Sequence, residues 1–126
     1  MKAWVWIVIA GVLAAAGLVG WRMNRRMPAL KDGDVVFQTS GGDPSMAVAM
    51  ATHSLYSHIG IVRLTPSGPV VVEAAGPVGE TPLRQWIARG QLGRVAVYRD
   101  AGLTAGQAAA LFRAAGALYG LSLIHI

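Results

Sequence analysis

Residues 3–20 form one apolar, uncharged run, and beyond it the pattern breaks into short apolar segments separated by glycine, proline and polar clusters. At 1.5 Å per helical residue, roughly 18 residues reach about 27 Å, close to the hydrocarbon core of a bilayer, so Ala3–Gly20 predicts a transmembrane helix. Trp4, Trp6 and Trp21 stand at its ends, where indoles favour the headgroup level, and Arg22, Arg25 and Arg26 follow. A cleavable signal is the competing reading. The run is longer than an ordinary signal core, however, and no small-residue cleavage pattern precedes Arg22, so the anchor is favoured.

After a linker over 23–31, Asp34–Ser40 (DVVFQTS) is a β-branched and aromatic run bounded by glycines and predicts a strand. Asp43-Pro44 places a capping acceptor before a proline, predicting a short helix over Ser45–His53. Ser57–Leu64 and Val70–Ala74 are two further β-rich runs around Thr65-Pro66-Ser67-Gly68-Pro69, which predicts a hairpin. Thr81-Pro82 introduces a second short helix over Leu83–Arg89, with Gly90 as a left-handed stop. Arg94–Arg99 alternates polar and apolar residues as a half-buried strand does, and Thr104-x-x-Gln107 is a capping box for an alanine-rich helix running to about Tyr119, with Gly120 its terminator. The soluble part is therefore α+β.

Charge changes the picture in one respect. Of the net +5, Lys2, Arg22, Arg25 and Arg26 supply +4, whereas seven basic and six acidic residues after Pro28 leave only +1. The basicity belongs to the flank of the apolar run, where it suits anionic lipid, and the near-neutral domain excludes a nucleic-acid partner. The 126 residues include no cysteine, which removes disulfides and cysteine-based metal sites; nothing in the sequence calls for a metal or another cofactor.

Two side chains carry candidate chemistry. His58 opens an otherwise apolar strand and can exchange a proton near neutral pH; Glu73 ends Val70-Val71-Val72 on the partner arm of the hairpin. A carboxylate that accepts an imidazole N–H fixes the ring's tautomer and orientation. With a symmetric turn over Pro66–Pro69, Glu73 would face Val62, and contact with His58 would need a bulge or a shifted register. The alternatives are a satisfied strand histidine and a solvated strand-end glutamate. Ser40, Ser45, Ser54, Ser57 and Ser67 offer hydroxyls, but none lies in a G-x-S-x-G elbow or an S-x-x-K pair. His53, at a helix end, is read as a cap.

Taken together, Gly33-Asp34-Val35-Val36-Phe37-Gln38-Thr39-Ser40, Ala51-Thr52-His53-Ser54-x-Tyr56-Ser57-His58-x-Gly60, Val72-Glu73-Ala74-x-Gly76-Pro77-Val78 and Thr81-Pro82-Leu83-x-Gln85-Trp86-Ile87 resemble the YiiX-like permuted papain-like amidases, cysteine hydrolases related to the NlpC-type peptidases. The resemblance covers about Leu30 to Gly120. It implies a half-barrel sheet with packed helices, incomplete at the C-terminus, with the histidine and its acidic partner preceding the cysteine in the chain; His58 and Glu73 match those two positions. It also implies an acyl-enzyme mechanism whose thiolate this chain lacks, because the family's later cysteine-bearing helix has no counterpart here. Leu121–Ile126 instead corresponds to the translation of a common transposase sequencing adapter, and His125 is given no role.

The organisation expected is thus an anchor over 1–22, a linker over 23–31, a truncated hydrolase domain over 32–120 and an adapter-derived tail over 121–126. The function expected is a membrane-anchored amidase or peptidase of the cell envelope, acting on an amide or peptide and inactive without its thiol. A non-catalytic membrane-tethered module is the alternative. The positive-inside rule places the domain in the cytoplasm, whereas the resemblance implies the outer, periplasmic side, which is preferred.

Overall fold

The computed structural model describes residues 9–14 and 27–122. Within 27–122, five antiparallel strands build one sheet: β1 (Val35–Gln38), β2 (His58–Thr65), β3 (Gly68–Ala74), β4 (Val78–Pro82) and β5 (Val95–Tyr98), in the order β4-β3-β2-β1-β5. Helix α1 (Asp43–Thr52) links β1 to β2, α2 (Leu83–Arg89) follows β4, and α3 (Ala105–Gly116) follows β5. The α+β architecture is as expected. The anchor is not: among the described residues no helix is long and apolar enough to cross a membrane. Of the run over 3–20 only residues 9–14 are described, as an exposed helical piece; the rest, with Arg22, Arg25 and Arg26, lies outside the described residues. The single-pass span, its lipid contact and the membrane location that rested on it are corrected accordingly.

Alternation along the strands sorts the side chains. Val36, Val62 and Val71 point to one face and are fully buried, and α2 covers that face with Leu83 and Trp86 to form the core. Met27, Leu30, Ile87, Val95 and Val97 complete it. Burying a large apolar side chain contributes roughly 1.5–3 kcal/mol, so these few residues carry most of the sheet's stability. Helix α3 is held differently, chiefly near the turn end of the β2–β3 hairpin. The Arg63 guanidinium lies 5.6 Å from the centroid of the Phe112 ring and pairs with Glu80 at 2.6 Å, and Glu80 also accepts the Tyr119 hydroxyl at 2.6 Å.

Local expectations were corrected in four places. The cap of α1 is Gly42, with Asp43 and Pro44 already inside the first turn. Gly90 ends α2 in an extended conformation (φ −70°), because the chain there turns back beneath β1 and hydrogen-bonds Thr39 through Gln91. Strand β4 was not anticipated: Val-Gly-Glu-Thr-Pro lacks a β-rich composition and is recruited by pairing with β3. The hairpin turn is the fourth. Only Pro66 and Ser67 lie between the strands, Thr65 pairs with Gly68, and Gly68 takes the positive φ (119°) that so tight a turn requires. The capping box at Thr104 and Gln107 and the capping place of His53 agree with the sequence reading; the left-handed conformation of His53 (φ 54°) was not part of it.

Candidate active site

The two-residue turn decides the site. It pairs Val62 with Val71 and Ile61 with Val72, which sets Glu73 one step further, across from Gly60 and on the same face as His58. Glu73 and His58 are then diagonal neighbours, a separation long side chains can bridge without a bulge. Gly60 keeps that diagonal clear: a Cβ there would sit 2.2 Å from Val71 Cγ1 and 3.2 Å from the Val72 carbonyl oxygen.

His58 Nε2 lies 2.5 Å from Glu73 Oε2, with the imidazole side chain 18% exposed and the carboxylate 3%. The contact left open by sequence is therefore made. An Nε2–H donated to the carboxylate leaves Nδ1 with the lone pair, and among the described residues Nδ1 has no hydrogen-bond partner. On the β1 side, Gln38 is the strand partner of His58 and is fully buried.

Glu73 is held from three further directions, none of which the sequence reading assigned. Thr81 Oγ1 donates to Oε1 at 2.6 Å, Trp86 Nε1 donates to Oε2 at 2.9 Å, and Arg89 Nη2 reaches Oε1 at 2.7 Å and Oε2 at 2.5 Å. The Trp86 ring also lies 6.2 Å from the imidazole, centroid to centroid. The available signal was spacing: Trp86 and Arg89 are three apart on a helix and must share a face, and Thr81 shares the face of its strand partner Val71. Burial pushes the Glu73 carboxyl up, but hydrogen bonds from Arg89, Thr81 and His58, with the Arg89 charge, outweigh it and hold the group below the ordinary carboxylate range. Glu73 is thus an anion, built to orient and not to exchange a proton.

The serines lie elsewhere. Ser40, Ser45 and Ser57 tie the end of β1 to the start of α1: Ser57 Oγ accepts the Ser40 N–H at 3.0 Å and touches both other hydroxyls. Ser54 caps the Tyr56 N–H and Ser67 meets Thr65 across the turn. None of these hydroxyls hydrogen-bonds His58. His53 Nδ1 stands 3.1 Å from the Met50 carbonyl, a helix-end contact. His125 lies outside the described residues.

Known proteins share this arrangement of elements. Residues 29–122 match the family described as permuted papain-like amidase enzyme, YaeF/YiiX, C92 family. The uncharacterized protein YiiX of Escherichia coli K12 is 47% identical over 70 residues, which cover 56% of this chain and 35% of that protein. A solved structure of YiiX from Escherichia coli O157:H7, described as a metalloprotein, superposes with a TM-score of 0.67 and 43% identity, over 71% of this chain and 51% of that one. The chain thus spans about a third of the one relative and half of the other.

Proposed function

The chain belongs to the permuted papain-like amidase family, and from that premise we propose that it is a hydrolase scaffold carrying the proton-accepting half of a thiol-dependent amide-cleaving site. The observation that carries the reading is the 2.5 Å contact from His58 Nε2 to Glu73, which leaves Nδ1 available. In this reading His58 Nδ1 takes the proton of an attacking thiol, Glu73 steadies the resulting imidazolium, and the thiolate adds to the amide carbonyl. Collapse of the tetrahedral intermediate expels the amine, which receives the proton back from Nδ1.

Two parts of the earlier expectation do not carry over. The sequence contains no cysteine, so this chain by itself cannot form the acyl-enzyme, and the anchored cell-envelope amidase, like the membrane-tethered scaffold, loses its support with the membrane span. The solved relative's description as a metalloprotein raises a resident metal. Among the described residues no three His, Asp or Glu side chains converge, and both Glu73 oxygens are engaged by donors, so the dyad does not fit a metal and no step is routed through one.

The test supplies the missing nucleophile. The purified chain is expected to leave amides intact, yet to accelerate attack of an added small thiol on a p-nitrophenyl ester, with His58→Ala reducing that acceleration by roughly tenfold or more. Equal rates for wild type and His58→Ala would sink the base assignment and leave a scaffold without chemistry.

A further inference from the structure

Arg89 meets Glu73 through one nitrogen. Its Nη2 reaches both carboxylate oxygens, while Nε and Nη1 have no hydrogen-bond partner among the described residues. The side chain is 45% exposed and lines an open cavity of about 310 Å³ whose wall also includes Glu73, Gly76, Pro77, Gly79 and Thr81. Two of these are glycines that neither backbone nor packing demands. Gly76 and Gly79 do not take a positive φ, and a Cβ at either would meet no atom within 4 Å. Gly79 is the strand partner of Glu73 and shares its face, so the missing side chain bares β4 beside the carboxylate and the guanidinium. Glycine inside a strand weakens it, and where nothing in the chain fills the space, close approach of a ligand accounts for the residue.

We propose that this cavity receives a carboxylate of the substrate, bound by the unpartnered N–H groups of Arg89, so that the amides cleaved are those carrying an anion a few bonds from the scissile carbonyl. The inference rests on the reading of His58 as the base and names the substrate class for it. Arg89 Nη2 and His58 Nε2 are each 2.5 Å from Glu73 Oε2, so one small molecule can span from the guanidinium to the imidazole. Glu73 already holds one nitrogen, which fixes the guanidinium in place and leaves little side-chain freedom to lose on binding. The Glu73 oxygens are also engaged by Thr81, Trp86 and His58, so the hydrogen-bonding capacity still open here is that of donors, and a charged acceptor is bound more strongly than a neutral one. Among the described residues the other carboxylate along the wall is Glu80, which lies on the opposite face of β4, where Arg63 and Tyr119 hold it at 2.6 Å.

The experiment titrates N-methylsuccinamate and its uncharged counterpart, N,N′-dimethylsuccinamide, into the full chain and follows both by NMR. The succinamate is expected to move the signals of Gly76, Gly79 and the Arg89 Nε–H, with an affinity about fivefold above that of the diamide, as suits one partly exposed charge pair. Arg89→Met should erase that preference. Gly79→Val sends a β-branched side chain into the cavity from a position where its Cβ meets no atom within 4 Å, and it should abolish the remaining shifts in a chain that stays folded. That variant decides the matter should Arg89→Met not fold. Equal affinities for the two probes, a preference that survives Arg89→Met, or undiminished binding to Gly79→Val overturns the proposal. The thiol-assisted ester assay separates the two readings. If the succinamate binds at Gly79 and Arg89 while His58→Ala leaves the rate untouched, the carboxylate site stands and the base role fails. If His58→Ala lowers the rate while neither probe moves these signals, the base role stands and the carboxylate site fails.

Discussion

Asp34 and Glu73 are two buried carboxylates, each gripped by an arginine through both oxygens, and they do different work. Asp34, just before β1 and 1% exposed, accepts Arg99 Nε and Nη2 at 2.7 Å and the Lys31 N–H at 2.7 Å. Arg99 also reaches the Ala29 carbonyl, so the pair fastens the entering chain to the far end of β5. Glu73 is held by a single arginine nitrogen, Arg89 Nη2, that reaches both oxygens, and adds an indole, a hydroxyl and an imidazole whose other nitrogen has no hydrogen-bond partner among the described residues. Burial, an arginine and a depressed proton affinity are common to both. What separates a brace from a candidate site is the imidazole neighbour that still has a lone pair to offer.

The strongest blow to that comparison is Trp86→Ala, which empties the core over one carboxylate and removes one of its donors. A loss of roughly 3–5 kcal/mol is expected by urea unfolding, and a loss below about 1 kcal/mol would mean that α2 does not hold this face. Next come the two arginines. Arg99→Met should cost about 3 kcal/mol, because Asp34 retains a single backbone donor in a dry position, whereas Arg89→Met should cost about 1–2 kcal/mol, because Glu73 keeps three donors. The reverse order in parallel denaturant curves would break the distinction drawn between them.

Acid tests both carboxylates together. For Asp34 the Arg99 hydrogen bond is the largest influence and lowers its proton affinity against the opposing effect of burial; for Glu73 burial raises it and the donors prevail. With folded values below unfolded ones, each anion contributes stability that is present above the unfolded values of about 3.9 and 4.3. That contribution is lost as pH falls through the lower folded values. Thermal midpoints should therefore be flat from pH 7 to about 5 and decline below about 4, and Glu73→Gln should flatten part of the decline. The smallest effect is Thr104→Ala, which removes the capping box of α3 and should cost about 1 kcal/mol, read as earlier loss of helical circular dichroism, with the His58 signals unmoved.

Much of this architecture was legible in the chain. β-rich composition on either side of a turn cluster marks β2 and β3, alternation of polar and apolar residues marks β5, the Thr104-x-x-Gln107 box marks α3, and His58 and Glu73 stand out on the two arms of the hairpin. The rest was not local information. Strand β4 exists because β3 offers it a partner, and the donors on Glu73 come from α2 and β4, brought there by the fold and not by proximity in sequence. The transmembrane reading is corrected on a narrower ground: among the described residues no helix is long and apolar enough to cross a membrane, and of the run over 3–20 only residues 9–14 are described.

The Pro66-Ser67 turn lies at the opposite end of the hairpin from the dyad, yet it sets the phase of everything between. One residue added there would carry Glu73 to the other side of the sheet from His58, and one pair added would return it to the right side a step out of place. A solvent-facing loop with nothing catalytic in it is therefore as length-constrained as the site itself. Comparing chains of this kind, the count of residues between the histidine and the glutamate is a sharper mark of a pair in contact than the identity of any residue in the turn.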